Sequence, residues 1–167
     1  GVSYATLADA INAAKDGETV NMLASTVCTE NTDLTEVKSV TVDFAQHTFT
    51  GDNKNIAIRS KAEGAGVLTL MNGTITTGDG TYCTLGAANG SAIVVKDMIL
   101  NNSTAFGGSV KAFPGGTIEL RDSQLNSVKG GGVAAAGGTV NIYNSKIDQK
   151  EYYDWNSMIA AASNGTG

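Results

Sequence analysis

Apolar and polar residues alternate in five stretches of the chain, and the five stretches share one pattern. A stretch such as TVNIYNSKI has two apolar positions one residue apart, a polar residue two positions later, and another apolar position three residues after that. Alternation with a period of two predicts a β-strand with one buried face. The first apolar column contains Val42, Leu68, Ile93, Ile118 and Val140, and the second contains Phe44, Leu70, Val95, Leu120 and Ile142.

The polar column predicts a bend between two strands of each repeat. Short amide and carboxylate side chains hydrogen-bond their own backbone and tolerate left-handed conformations. This column contains Gln46, Asn72, Asp97, Asp122 and Asn144, and the apolar column after it contains Phe49, Ile75, Leu100, Leu125 and Ile147. Pairs between glycine-rich corners predict a third strand: Ile58 with Ser60, Leu85 with Ala87, Val110 with Ala112, Val133 with Ala135, and Ile159 with Ala161.

A repeat of 22 to 26 residues with variable loops is typical of a solenoid. We expect an all-β fold in which each repeat is one turn of a single-stranded parallel β-helix. Val20, Met22 and Val27 match the same offsets and predict one further turn, which brings the total to about six. Residues 1–167 are expected to form one domain, with a helix and lead-in over residues 1–17 and the turns over residues 18–167.

The segment TLADAINAAKDG predicts an amphipathic helix before the first turn. Apolar residues recur at helical spacing at Leu7, Ala10, Ile11 and Ala14. Thr6 and Asp9 have the spacing of a capping box, and Gly17 is expected to end the helix. Because the end of a solenoid exposes its core and unpaired strand groups, we expect the helix to cover that end.

Composition and charge exclude several classes of protein. The chain is 41% hydrophobic and 16% charged with a single proline, which argues against disorder. Its net charge is −5 and its basic residues are scattered, so we expect no nucleic-acid partner. No apolar stretch is long enough for a bilayer span, so no membrane insertion is expected.

A helix of the type YATLADAINAAKDGETV that leads into glycine-rich turns resembles the right-handed parallel β-helix proteins of the pectate-lyase-like group, especially bacterial and phage surface or secreted proteins. The resemblance implies a right-handed solenoid and a secreted, extracellular or cell-surface location. It implies little about activity, because this architecture is shared by lyases, hydrolases, tailspikes, adhesins and passive stalks.

The resemblance implies that a polysaccharide-degrading member would gather carboxylates, often with calcium, and a basic residue on one outward face. The pattern places Asp43 and Glu119 three turns apart, about 14 Å, whereas paired carboxylates in glycoside hydrolysis lie about 5–9.5 Å apart. His47 is expected at a turn, and we expect no catalytic residue, metal site or cofactor. The third outward face is expected to show Ala57, Arg59, Thr84, Gly86, Ser109, Lys111, Ala134 and Ala160. Asp33, Asp52 and Asp79 are read as solvated loop residues rather than calcium ligands.

The two cysteines, Cys28 and Cys83, fall two turns apart in this register, about 9.6 Å, whereas a disulfide needs Cα atoms within about 7 Å. Two buried free thiols are favoured, and an internal bridge or a bridge between subunits remains an alternative. Tyr152, Tyr153 and Trp155 are candidates to contact a ligand or partner, or to cover the core of the last turn.

The C-terminal residues AAASNGTG resemble AAAGGTV, the segment that leads from one turn into the next. The sequence stops where a further turn would begin, so the last turn is expected to be uncapped. Self-association candidates are Ile159, Ala161 and Asn164 at that end, and Leu7 and Ile11 at the other. We therefore expect a non-enzymatic structural or adhesive solenoid whose partners are other copies or a longer solenoid, and which stacks head to tail into a filament. The alternative is a carbohydrate-binding or polysaccharide-degrading module that contacts surface glycans.

Overall fold

The alternating stretches form strands that stack in parallel. The computed structural model describes residues 1–52, 56–78, 81–103, 108–128, 131–150 and 159–162. In these residues one helix precedes sixteen strands, which lie in a 10-stranded and a 6-stranded sheet. Every recorded strand pair is parallel, so the chain returns to the same side after each turn.

Each turn contributes up to three strands, and the helix α1 spans Leu7–Ala13. First strands are β1 (Thr19–Asn21), β4 (Ser39–Asp43), β7 (Val67–Thr77), β9 (Ala92–Asn102), β11 (Thr117–Arg121) and β14 (Thr139–Tyr143). Second strands are β2 (Thr26–Cys28), β5 (Thr48–Gly51), the later halves of β7 and β9, β12 (Gln124–Ser127) and β15 (Lys146–Gln149). Third strands are β3 (Thr32–Leu34), β6 (Ile56–Ser60), β8 (Cys83–Ala87), β10 (Gly108–Ala112), β13 (Gly131–Ala136) and β16 (Ile159–Ala162).

The order β1-β4-β7-β9-β11-β14 in the larger sheet gives about five turns. The predicted all-β parallel solenoid with an N-terminal helix is confirmed, and the predicted number of about six turns is close. The third strands also stack as predicted, because Ile58 pairs with Leu85, Leu85 with Val110, and Val110 with Val133. An additional third strand, β3, forms in the irregular segment and pairs with β6.

The core lies inside the turns and is built from the predicted apolar columns. Leu68, Leu70, Ile75 and Leu85 are each 0% exposed and belong to one continuous cluster. Fully burying one such aliphatic side chain contributes about 1.5–3 kcal/mol. Stacking of like residues in columns therefore supplies most of the stability of a fold in which each turn contacts mainly its neighbours.

The bend column has the backbone conformation that its residue types predict. Five non-glycine residues of this column have positive φ, between 44° and 66°: Gln46, Asn72, Asp97, Asp122 and Asn144. The left-handed region is unfavourable for most side chains, and Asn and Asp tolerate it because they hydrogen-bond locally. The side chains also bond across turns, since Asn144 Nδ2 donates to Asp122 Oδ1 at 2.6 Å.

The predicted register is wrong by two residues in the turn that contains Val42. Val42 pairs with Leu70, not Leu68, whereas Phe49 pairs with Ile75 as predicted. Two additional residues are therefore accommodated at this bend, where Ala45 also has a positive φ of 47°. Phe44 is fully buried beside Gly73, and a Cβ on that glycine would lie 2.3 Å from the Phe44 Cβ.

The predicted inward position of Val27 is also wrong. Thr26 pairs with the buried Phe49, and Val27 pairs with the outward Thr50 and is 67% exposed. Val20 and Met22 are placed correctly, because Val20 pairs with Val42 and Met22 is 8% exposed. The shift of one residue at Val27 moves its side chain to the opposite face of the strand.

The N-terminal helix packs on the first turn, and Thr6 is its N-cap as predicted, although Asp9 bonds the Thr6 hydroxyl rather than the Thr6 amide of a full capping box. Thr6 Oγ1 donates to Asp9 Oδ2 at 2.7 Å, and the Asp9 amide donates to Thr6 Oγ1 at 3.0 Å. Leu7 and Ile11 are 8% and 0% exposed in the core cluster. The prediction that Gly17 ends the helix is wrong, because the helix ends at Ala13 and the C-cap is Ala14.

A buried lysine joins the C-terminus of this helix to the solenoid. Lys38 Nζ donates to the carbonyls of Asn12 at 2.8 Å and Ala14 at 2.9 Å, and lies 3.1 Å from Glu36 Oε2. A cation at this position pairs with carbonyls that have no partner within the helix and opposes the negative end of the helix dipole. We refer to Lys38 with these three partners as the Lys38 clamp.

Candidate functional site

The last described turn differs from the interior turns in the exposure of its core residues. Val140, Ile142 and Ile147 are only partly buried, whereas Ile118, Leu120 and Leu125 of the preceding turn are 0% or 1% exposed. Within the described residues, β14 pairs only with β11, and β15 only with β12. These two strands with their three partly buried apolar residues are called the C-terminal edge.

The backbone of β14 presents hydrogen-bonding groups along this edge. The Thr139 amide donates to the Gly116 carbonyl at 2.9 Å, and the Tyr143 carbonyl accepts from the Asp122 amide at 3.2 Å. Peptide groups of successive residues in a strand point to opposite sides, so those of Val140 and Ile142 point away from β11. An unpaired edge of this kind is a template for a further strand.

The self-association candidates fall into three groups. Ile159 pairs with Val133 and Ala161 with Ala135, so both occupy the predicted columns of the last third strand. Leu7 and Ile11 are covered by their own chain, and neither side chain is available for contact while α1 is docked. Asn164 lies outside the described residues.

The aromatic candidates Tyr152, Tyr153 and Trp155 also lie outside the described residues, and their role as ligand or partner contacts stays a prediction. An aromatic residue that the sequence argument did not use is Tyr143 on β14, which is 45% exposed. The Arg121 guanidinium lies 4.3 Å from the centre of its ring, a cation–π distance. The pair follows from the register, because Arg121 and Tyr143 are cross-strand partners.

Both cysteines are free in the structure. Cys83 is fully buried, and burial raises the pKa of its thiol to about 12, so it is protonated and unreactive at neutral pH. Cys28 is partly buried, and its thiol donates to the Glu30 carbonyl at 3.1 Å. The two cysteines therefore form no disulfide within this chain, only Cys83 of the two is fully buried, and a bridge between subunits stays a prediction.

The two outward carboxylates of the first strands that the repeat singles out, Asp43 and Glu119, lie apart from each other as predicted. Asp43 is on β4 and Glu119 on β11, three strands away in the sheet order. Among the described residues, no group of three or more histidine, cysteine, aspartate or glutamate side chains is placed to hold a metal ion. No helix in the described part of the chain is long and apolar enough to cross a bilayer.

Asp33 is not a solvated loop residue, which corrects the sequence interpretation. It pairs with Arg59 across β3 and β6, and two guanidinium hydrogen bonds of 2.6 Å join them. Lys61 Nζ lies 2.9 Å from the same carboxylate. Burial alone would raise the pKa of Asp33, but hydrogen bonds from Arg59 and Lys61 and their charges outweigh burial and lower it. Both basic partners engage the carboxylate in a structural ion-pair network.

The predicted outward face of the third strands is partly wrong. Ala57, Thr84 and Ser109 are each 0% exposed. Thr84 and Ser109 belong to an internal hydrogen-bond chain that the sequence analysis missed. Thr84 Oγ1 lies 2.9 Å from Thr77 Oγ1, Thr77 Oγ1 donates to Asn102 Oδ1, and Asn102 Nδ2 donates to Ser109 Oγ at 2.6 Å.

The sequence contains a signal for this chain of buried hydrogen bonds. In every turn, the residue two positions after the member of the Phe49 column is small or polar. These residues are Gly51, Thr77, Asn102, Ser127 and Gln149. Alternation places these residues on the same inward side as Phe49. Buried polar groups are stable when each finds a partner, and here consecutive turns supply the partners.

A polar groove of about 420 Å³ runs along the second strands and the corner beside them. Its lining includes Thr76, Asn101, Asn126, Asp148 and Lys150. Its amides are held in a line, because Gln124 Nε2 donates to Asn126 Oδ1 and Asn126 Nδ2 donates to Asn101 Oδ1, both at 2.8 Å. The groove offers ordered donors and acceptors but, among its recorded lining residues, no aromatic ring.

No family model, curated protein or solved structure matches this chain. The β-solenoid fold is therefore shown by the structure alone, and membership of the pectate-lyase-like group stays a prediction.

Proposed function

We propose that this chain is a non-enzymatic structural module: a stiff β-solenoid of a secreted or cell-surface protein that associates with other copies of itself. The observation that carries the proposal is the C-terminal edge, where partly buried Val140, Ile142 and Ile147 accompany strands that pair on one side only in the described residues. Such an edge is stabilised when another strand covers it. The extracellular location and an adhesive role rest on the resemblance in sequence.

Two proline substitutions in β14 test the proposal, because they differ in the direction of the lost peptide N–H. Val140→Pro removes a donor that points away from β11, and proline is tolerated on the open side of an edge strand. Asn141→Pro removes a donor that points toward β11 and should destabilise the turn itself. Thermal unfolding of both variants separates the two effects.

Sedimentation velocity of the 167-residue chain across a wide concentration range measures association directly. The unmodified chain should associate as concentration rises, and Val140→Pro should weaken association while lowering the unfolding temperature less than Asn141→Pro does, since Val140 packs only partly against the core. A chain that stays monomeric at the highest concentration would contradict self-association through this edge.

A second candidate function is carbohydrate binding, which the polar groove favours. Amides and hydroxyls in a fixed line match the hydroxyl groups of a sugar chain, and Lys150 and Asp148 add charged partners. A glycan array should show binding that Asn126→Ala weakens and Asn141→Ala, on a different outward face, does not. Trp155→Ala tests the predicted aromatic contribution in the same assay, and no binding by the unmodified protein would exclude this candidate for the glycans tested.

A further inference from the structure

The two ends of the solenoid differ, and the difference determines how copies can associate. At the N-terminal end, α1 fills the core with Leu7 and Ile11, which are 8% and 0% exposed. The Lys38 clamp holds the helix, and Asp16 Oδ1 accepts from the Ser39 amide at 2.7 Å. A turn of another copy cannot reach the core at this end unless α1 is displaced. The C-terminal edge has no covering helix in the described residues.

Charge also distinguishes the ends. Residues 1–36 contain six acidic side chains and one lysine, and two of these acids, Asp33 and Glu36, are paired with basic residues beyond this segment, which leaves an excess of three negative charges. Two N-terminal ends therefore repel each other. By contrast, β14 contains no charged residue, whereas charged side chains are a common protection of natural edge strands. Two C-terminal edges can approach without charge repulsion along β14.

We propose that the partner of the C-terminal edge is the C-terminal edge of a second copy, so that the chain forms a closed two-fold dimer in which the two β14 strands pair antiparallel. This inference rests on the proposed function, because it identifies the partner surface for the same edge. It replaces the head-to-tail filament expected from the sequence, since a two-fold interface uses the open edge of both copies and leaves none to extend.

The geometry of β14 suits this arrangement. A two-fold axis at its middle residue, Asn141, places Val140 of each copy opposite Ile142 of the other copy. The peptide groups of both residues point to the open side, so the two residues can exchange N–H···O bonds as a hydrogen-bonded antiparallel pair does. Both side chains lie on the core side of the strand, so they would cover each other across the interface.

Long-range charge favours the opposite arrangement, because residues 139–150 contain Lys146, Lys150 and Asp148 and would attract the acidic N-terminal end. Salt screens this attraction over about 8 Å at physiological ionic strength. Head-to-tail stacking also requires displacement of α1 and the loss of two hydrogen bonds of Lys38, one buried and one partly buried. The steric obstacle therefore decides against the filament.

Cysteine cross-linking tests the two-fold axis in the full 167-residue chain, with Cys28→Ser to remove the more accessible native thiol. Asn141→Cys would place two thiols opposite each other, with Cα atoms about 4.5 Å apart in a pair that is not hydrogen-bonded, within disulfide range. The control is Glu119→Cys, because Glu119 is the cross-strand partner of Asn141 on β11. Three strand spacings, about 14 Å, would separate the two cysteines at this position, too far for a disulfide.

Under mild oxidation, Asn141→Cys should give more than tenfold more covalent dimer than Glu119→Cys, and sedimentation of the unmodified chain should reach a mass limit of two copies. Filaments, or masses that grow beyond two copies, would overturn this inference but support self-association. A dimer without selective cross-linking at Asn141 would place the interface elsewhere and overturn the pairing. A strict monomer would contradict both this inference and the proposed function.

Discussion

Loss of the Lys38 clamp should release the N-terminal helix before the rest of the solenoid unfolds. Lys38→Met keeps the buried aliphatic stem but removes the ammonium that donates to the carbonyls of Asn12 and Ala14. Hydrogen bonds to a charged group contribute about 1.5–3 kcal/mol, and the opposed helix dipole adds about 0.3–1 kcal/mol. Because the buried ammonium also loses hydration when it docks, we expect a net loss of about 2–4 kcal/mol.

This loss should be local, because α1 has seven residues and a helix of that length is not stable without packing. Native-state hydrogen exchange measures it: the amides of Ala10 and Ala14, which bond within the helix, should exchange about 30- to 700-fold faster, since each 1.4 kcal/mol is a factor of ten. Exchange of the Leu70 amide in the core should change much less.

The control is Lys96→Met, at a lysine that is 51% exposed and 3.9 Å from Asp97, where we expect a change of at most about 0.5 kcal/mol. If the helix amides of Lys38→Met exchange at the same rate as those of Lys96→Met, the clamp does not hold the helix and the reasoning is refuted.

Two further predictions concern stability. The pKa of Asp33 is lowered in the folded state, so its contribution is complete above its unfolded pKa of about 3.8 and is lost as pH falls through the lower folded value. Urea unfolding should show Asp33→Asn less stable by about 2 kcal/mol at neutral pH, with the difference shrinking below about pH 4; a difference that does not depend on pH would contradict this. Gly73→Ala should cost about 1–3 kcal/mol or more, because the new Cβ would lie 2.3 Å from Phe44 Cβ and 2.7 Å from the His47 carbonyl oxygen. Gly78→Ala, whose Cβ would meet nothing within 4 Å, is the control, and equal melting temperatures for the two variants would contradict the prediction.

The repeat predicted the inward columns of the middle turns, because alternation along a strand leaves only one face for the apolar residues. Ile93, Val95 and Leu100 are each 0% exposed, as the pattern requires. The bend residues were predictable for a local reason, since the left-handed conformation depends on the side chain's bonds to its own backbone. The N-cap contact between Thr6 and Asp9 is equally local.

The errors occur where the length of a corner changes. The additional residues between Val42 and Phe49 allow either of two alignments with the next turn, and only the stacking against Leu70 and Ile75 selects one. Val27 was misplaced for a similar reason, because the first turn has a short second strand and no earlier turn to compare with. Thr84 and Ser109 were assigned to the surface because alternation does not show which faces other segments cover.

At the candidate site, too, some features follow from the repeat and others depend on contacts between turns. The repeat identifies the residues of β14, and the predicted absence of a cap on the last turn stays a prediction, because residues 151–158 and 163–167 lie outside the described part of the chain. The sequence did not predict which groups point to the open side of β14, because this depends on the bonds of Thr139 and Tyr143 to the preceding turn. It also did not identify Lys38, an isolated lysine whose role depends on a helix end 24 to 26 residues earlier in the chain.

The sequence by itself determined that this chain forms stacked parallel turns with apolar columns inside and left-handed residues at the bends, because both properties follow from interactions within a few residues of one strand. Only the tertiary structure decided the register of the irregular turns, the burial of Thr84 and Ser109, and the clamp at Lys38. These features arise where residues far apart in the chain meet, and the alternation of apolar and polar residues along one strand does not show which distant residues will meet.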